Sequence, residues 1–74
     1  MAGTRRHVTM QISDEKLNMI LATRLITIAD VARMAETTPY TVHKAVTRGA
    51  KPITVGRIAA ALEVKVEDII VKED

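Results

Sequence analysis

Side chains that can donate hydrogen bonds recur at helical spacing in the middle of this chain of 74 residues. Tyr40, His43, Lys44 and Thr47 stand three or four positions apart, which would place them on one face of a helix. The positions between them form an apolar stripe that suits the core: Val42, Ala45 and Val46. Such a helix could present its donors to the base edges and phosphates of a DNA groove.

Two short helices joined by a tight turn are predicted by the stretch Thr27–Gly49, and the second helix carries this face. Thr27 can cap the first helix, expected over residues 28–35, and Asp30 three residues later approximates a capping box. Ala32 lies where the two helices would cross. Its small side chain suits that position, since only a small side chain lets the two backbones approach closely. Apolar residues spaced by three and four mark the buried face of the first helix: Ile28, Val31, Ala32 and Ala35.

The second helix of the pair is expected over residues 39–48, with Thr38 as its cap. Pro39 takes the first helical position, where a missing N–H costs nothing, and Gly49 ends the helix. Three more helical segments are expected, over residues 14–24 after a Ser13 cap, from residue 53 or 54 to 62, and over residues 66–70. The predicted fold class is therefore all-α, a compact domain of five helices.

The two chain ends show a pattern typical of strands, and the fourth helix in chain order, which ends at residue 62, contains a glycine. Val8, Met10 and Ile12 alternate with polar residues, which suits a short strand, and Ile69–Val71 could pair with it. Gly56 lies inside the fourth helix, where glycine costs about 1 kcal/mol relative to alanine. Either a close backbone contact or a tolerated defect would explain that glycine.

Composition excludes several classes of protein. A chain of this length without cysteine forms one domain and has no disulfide or thiolate metal site. We expect that domain over residues 8–74, after a disordered basic arm over residues 1–7. The only histidines are His7 and His43, and the only serine is Ser13. With no carboxylate pair or phosphate-cradling glycine loop either, we expect no enzyme, no cofactor and no metal site.

Charge is distributed unevenly, although the net charge is only +2. Residues 24–57 hold six basic and two acidic side chains, whereas residues 58–74 hold two basic and five acidic ones. This segregation favours a polyanionic partner facing the middle of the chain. No apolar run approaches the roughly 20 residues that span a bilayer, and no signal peptide is recognisable, so we expect a cytoplasmic protein.

The chain resembles the Cro and phage-repressor class of helix-turn-helix proteins, the XRE-type family, over residues 12–70. The resemblance rests on the helix expected over residues 14–24, then on the motif TIADVARMAETTPYTVHKAVTRG, and then on the tail RIAAALEVKVEDII. The motif is also similar to the DNA-reading segment of lac-repressor relatives, which lack this tail. The resemblance implies a lambda-repressor-like domain whose helix at residues 39–48 enters the major groove of double-stranded DNA.

The resemblance also implies which residues contact DNA, through base edges near the start of that helix and through phosphates around it. The expected set is Thr38, Pro39, Tyr40, Thr41, His43, Lys44, Thr47, Arg48, Lys51 and Arg33. Simple solvent exposure is the alternative for His43 and the cations, and partial burial is the alternative for Tyr40. A symmetric operator would require a homodimer, at least on DNA. The alternative is a monomer that binds DNA weakly or pairs only when it is on DNA.

Glu36 departs from the family pattern, which has glycine four residues after Ala32 because the turn requires a positive φ. A left-handed glutamate costs about 1 kcal/mol unless the turn is built differently, and its charge would lie near DNA. Two functions follow from these residues. The first is a small transcriptional regulator, expected to be a repressor of a short operator. The alternative is a protein-binding module of the same fold, such as an antirepressor or a toxin-neutralising partner.

Overall fold

Four α-helices make up most of the part of the chain, residues 9–71, that the computed structural model describes. They are α1 (Asp14–Arg24), α2 (Ile28–Met34), α3 (Pro39–Thr47) and α4 (Pro52–Ala61). Each helix boundary lies within two residues of its expected position, and the all-α class is confirmed. The expected arm over residues 1–7 lies outside the described residues.

The expected fifth helix is wrong, because residues 66–70 form only a single 3₁₀ turn, Val66–Asp68. The Ile69 carbonyl and the Val71 N–H, which would continue a helix, are hydrogen-bonded instead to the N-terminal segment, residues 9–13. The Ser13 N–H donates to the Ile69 carbonyl at 2.7 Å, and the Val71 N–H donates to the Gln11 carbonyl at 2.9 Å. Tertiary pairing therefore overrides the local helical pattern at this end of the chain.

The first turns of α1, α2 and α3 are capped as the sequence predicts. The hydroxyls of Ser13, Thr27 and Thr38 each accept a hydrogen bond from the backbone N–H three residues later, at 3.1–3.2 Å. The Thr27 N–H donates in return to the Asp30 carboxylate at 2.8 Å, which completes the capping box. These caps fix where each helix starts, because they satisfy N–H groups that have no partner within the helix.

Three helix ends contain a non-glycine residue in the left-handed region: Leu25, Glu36 and Glu63, with φ of 58°, 60° and 59°. In the turn after α2, the Thr37 N–H donates to the Ala32 carbonyl at 2.8 Å, across the left-handed Glu36. This is the 6→1 hydrogen bond of a Schellman motif, a turn that usually takes glycine at the left-handed position. The turn therefore has the geometry expected from the family pattern, with the strained residue in place.

The core of the described residues is entirely aliphatic. Val31 and Ala32 of α2 pack against Val42 and Ala45 of α3, and all four are at most 1% exposed. The remaining buried side chains are Ile12, Leu17, Ala35, Val55, Ile58, Ala59, Leu62 and Ile69. The predicted inner faces of α2 and α3 are thus confirmed, except that Ile28 and Val46 are only half-buried.

Within residues 9–71, the predicted pairing of the chain ends forms as one antiparallel bridge between Ile12 and Ile70, rather than as two strands. Val8, at the start of the expected strand, lies outside the described residues. A second bridge, which the sequence did not predict, joins Met10 to Ala50 just after α3. Gly49 makes this second bridge possible. Its φ is 103°, and a Cβ atom there would lie 3.2 Å from the Met10 carbonyl oxygen. The N-terminal segment therefore lies between the end of α3 and the end of the described chain.

Candidate nucleic-acid interface

One side of α3 is packed into the core and the other faces solvent. Val42 and Ala45 are fully buried, Thr41 and Val46 are half-buried, and the outward positions are exposed. The exposed positions of α3 and its C-terminal cap are Pro39, Tyr40, His43, Lys44, Thr47 and Arg48. Tyr40 is 70% exposed, so the partial burial considered for this lone aromatic residue does not occur.

The N-terminal end of α3 is built from two threonines. The Thr38 hydroxyl accepts from the Thr41 N–H at 3.1 Å, and the two hydroxyl oxygens are 3.0 Å apart. One hydroxyl therefore donates to the other, which fixes both at the start of the helix. The positive end of the helix dipole and these hydroxyls together suit a phosphate oxygen.

Three exposed cations lie around the C-terminal half of α3. Lys44 and Arg48 are four residues apart, so they are neighbours on one helix face, and Lys51 lies just before α4. Within residues 9–71, the ion pairs are Arg24–Glu63 and Arg33–Asp30, so no described carboxylate neutralises these three cations. Their charge is available to an anionic partner.

Arg33, by contrast, already has an anionic partner. Its guanidinium donates to the Asp30 carboxylate at 2.9 Å on the exposed side of α2. The hydrogen bond from the Thr27 backbone N–H lowers the pKa of the Asp30 carboxyl below its usual value, and the hydrogen bond from Arg33 adds a second, smaller contribution. A phosphate contact by Arg33 would therefore compete with this ion pair, unlike a contact by Lys44 or Arg48.

Sequence reasoning missed Gln11, whose carboxamide lies against the C-terminal end of α3. Its Nε2 donates to the Val46 carbonyl at 2.7 Å and approaches the Thr47 carbonyl at 3.4 Å. The Thr47 hydroxyl also donates within the helix, to the His43 carbonyl at 3.0 Å. The sequence pattern places Gln11 only among the polar residues that alternate with Met10 and Ile12. No local signal reveals a partner 35 residues away.

Other kinds of site find little support in the described region. Between residues 9 and 71, no three His, Asp or Glu side chains converge as metal ligands. None of the helices there has the length and hydrophobicity that crossing a bilayer requires. The exposed face of α3 and the cations beside it are thus the principal candidate site.

A family model described as the Cro/C1-type helix-turn-helix DNA-binding domain matches residues 16–74, most of the chain. The chain belongs to the Cro/C1-type helix-turn-helix family. This confirms the resemblance drawn from the motif and the tail, and it supports a DNA-binding regulator. No curated protein and no solved structure shows significant similarity to the chain. In this Cro/C1-type domain, α2 and α3 are the helices of the motif, and Glu36 lies in the turn between them.

Proposed function

We propose that this Cro/C1-type domain is a small cytoplasmic transcriptional repressor that inserts α3 into the major groove of a short operator. The observation that carries the proposal is the division of α3 into a fully buried apolar side and an exposed donor-bearing side. A helix anchored by Val42 and Ala45 can offer its outer side chains to DNA without losing its packing.

Base contacts are proposed for the outward residues of the first two turns of α3. The Lys44 ammonium suits the O6 and N7 acceptors of guanine. Tyr40 can donate through its hydroxyl or pack its ring on a thymine methyl group, and its exposure supports this role. His43 lies between them in sequence and is also exposed, so it can read a base or bind a phosphate. Pro39 and Thr47 flank the same face.

Phosphate contacts are proposed on both sides of that face. Thr38 and Thr41 would hold one phosphate at the start of α3, while Arg48 and Lys51 would hold another beyond its end. Arg33 is a further phosphate ligand if it exchanges Asp30 for DNA. Such contacts give affinity and register, whereas the base contacts give specificity.

A homodimer is proposed on DNA, because one α3 reads only one half-site and symmetric half-sites lie about 34 Å apart. Most of the apolar surface at the described chain ends is already buried inside the chain. Ile12 and Ile69 are fully buried within the chain, whereas Val71 is 45% exposed. A dimer contact through the described chain ends would therefore involve Val71 rather than the two isoleucines.

The proposed function is tested by fluorescence anisotropy of a labelled duplex titrated with the protein over a salt series. We expect affinity to fall linearly on a log–log plot, with a slope of about −0.9 per phosphate contacted. The double variant Lys44→Ala, Arg48→Ala should bind more weakly and lose about one unit of slope per phosphate contact removed. A matched double variant, Arg57→Ala, Lys65→Ala, removes the same charge from exposed positions outside α3.

Equal effects of the two double variants would show that charge alone matters and would reject the assignment of α3 to the groove. Absence of binding even at low salt would favour the second candidate, a protein-binding module of the antirepressor or antitoxin type. The observation that favours this candidate is Glu36, an exposed carboxylate in the turn that precedes α3. The excess of acidic residues after position 58 favours it too.

A further inference from the structure

The C-terminal end of α3 is held by the N-terminal segment of the chain. The last carbonyls of a helix have no partner within it and must be satisfied elsewhere. The Ala45 carbonyl accepts from the Ile12 N–H at 2.9 Å, and the Val46 carbonyl accepts from the Gln11 carboxamide at 2.7 Å. The same carboxamide lies 3.4 Å from the Thr47 carbonyl. Two consecutive residues of one segment thus bind three consecutive carbonyls of the helix.

Gln11 is itself fixed on both sides. Its backbone carbonyl accepts from the Val71 N–H at 2.9 Å, and its neighbour Met10 exchanges two hydrogen bonds with Ala50, at 2.8 and 2.9 Å. Gln11 and Arg48 line the same groove, of about 420 Å³, beside the end of α3. The carboxamide therefore ties the end of α3 to a segment that is anchored to the rest of the molecule.

We propose that Gln11 is a positioning residue for DNA reading, an inference that rests on the proposed function of α3. Gln11 is exposed and lies outside the aliphatic core, so its chief contribution is a fixed orientation for the last turn of the helix. Lys44, Thr47 and Arg48 project from that turn or next to it. A last turn released from Gln11 lets these side chains move relative to the base pairs, while the phosphate-binding charges remain. Loss of Gln11 therefore reduces sequence selectivity more than non-specific affinity.

Two substitutions separate the donor from its surroundings. Gln11→Ala removes the donor and leaves the carbonyls to water. Gln11→Glu keeps the shape but replaces the donor with a carboxylate oxygen, which the carbonyls and the negative end of the helix dipole repel. Asn18 provides matched controls, because its carboxamide is also exposed and donates only within α1, to Asp14 at 3.3 Å. Asn18→Ala and Asn18→Asp repeat the same chemical changes, including the same change in charge.

The experiment first selects a preferred duplex from a random pool with the full wild-type chain. Affinities for that duplex and for a scrambled one are then measured over a salt series and compared at equal salt concentration, with the folded fraction of each variant followed by circular dichroism. We expect the affinity ratio to fall about tenfold for Gln11→Glu, the size of one lost base contact, and less for Gln11→Ala. The two Asn18 variants should keep the wild-type ratio, and every variant should keep its salt slope on the scrambled duplex.

Hydrogen exchange on the DNA-free protein tests the contact itself. We expect faster exchange in Gln11→Glu at the amides of Arg48 and Gly49, which donate to the Lys44 carbonyl at the end of α3. The amide of Leu62, at the end of α4, should be unchanged. A merely structural residue would lower the melting temperature without changing the selectivity of the folded protein.

The possible outcomes distinguish the two proposals. A wild-type chain that binds no duplex rejects the proposed function and the positioning role with it. A selective wild type with equally selective Gln11 variants overturns the positioning role alone and leaves the function standing. The same is true if the matched Asn18 variants lose selectivity to the same extent.

Discussion

At the scale of single residues, Glu36 matters most because it combines backbone strain with a negative charge beside α3. Its φ of 60° lies in the left-handed region, which an L residue other than glycine occupies only with strain. It is also an exposed carboxylate in the turn that leads into α3. The first cost falls on folding and the second on the approach of DNA, so a single substitution relieves both.

We predict that Glu36→Gly raises the free energy of unfolding by about 1 kcal/mol, because it relieves the left-handed strain. It should also tighten DNA binding at low salt, because it removes a negative charge beside the reading helix. Urea denaturation followed by far-ultraviolet circular dichroism gives the first quantity, and anisotropy gives the second.

Glu63→Gly is the matched control for this prediction. Glu63 has nearly the same φ, 59°, at the end of α4, and its ion pair with Arg24, at 3.8 Å on the surface, contributes little. This variant should gain similar stability with a smaller change in DNA affinity. If both variants tightened DNA binding equally, the effect would come from net charge and not from the position of Glu36.

At the scale of elements, the two described glycines have opposite roles. Gly49 follows α3 with a φ of 103°, and an added Cβ would press on the Met10 carbonyl oxygen. Gly56 lies within α4, and a Cβ built there meets no atom within 4 Å. Of the two explanations open from the sequence, a close backbone contact at Gly56 is therefore wrong, and the glycine is a tolerated weak point of the helix.

We predict that Gly56→Ala raises the free energy of unfolding by about 1 kcal/mol, the difference in helix propensity between the two residues. Gly49→Ala, the paired control, should lower it, because the substitution meets both the left-handed strain and the Met10 carbonyl. Urea denaturation measures both. A destabilised Gly56→Ala would mean that α4 packs more tightly around this glycine than the described contacts allow.

At the scale of the whole molecule, the chain ends close a very small core. Ile12 and Ile69 come from opposite ends of the sequence and are both fully buried. Backbone hydrogen bonds next to them join the two ends directly: the Ser13 N–H donates to the Ile69 carbonyl, and the Val71 N–H donates to the Gln11 carbonyl. A folded chain of 74 residues typically has a total stability of roughly 4–11 kcal/mol, so each large core side chain supplies a sizeable part of it.

We predict that Ile69→Ala lowers the free energy of unfolding by about 2–5 kcal/mol, the usual cost of truncating a buried isoleucine. Ile53→Ala should change it by less than about 0.5 kcal/mol, because Ile53 is 68% exposed on α4. Thermal and urea unfolding, followed by circular dichroism, compare the two variants. A small effect of Ile69→Ala would show that the chain end can detach without unfolding the helices.

The sequence by itself determined the helices of the motif, their caps and the apolar face of each, because these depend on neighbours within a few residues. Thr38 with Pro39 and the stripe of Val42 and Ala45 are local signals of this kind. The exposed face of α3 followed from the same periodicity. Its contacts with DNA stay a prediction, to be tested as proposed above.

Only the tertiary structure decided which partners the backbone N–H and carbonyl groups find at the ends of the described chain and at the C-terminal end of α3. The helical pattern after Val66 gives way to a single 3₁₀ turn because backbone groups there bind residues 11–13. Gln11 meets the end of α3 across 35 residues of sequence. Hydrogen bonds between distant segments leave no periodic trace in either segment, since each depends on where the whole core brings the other.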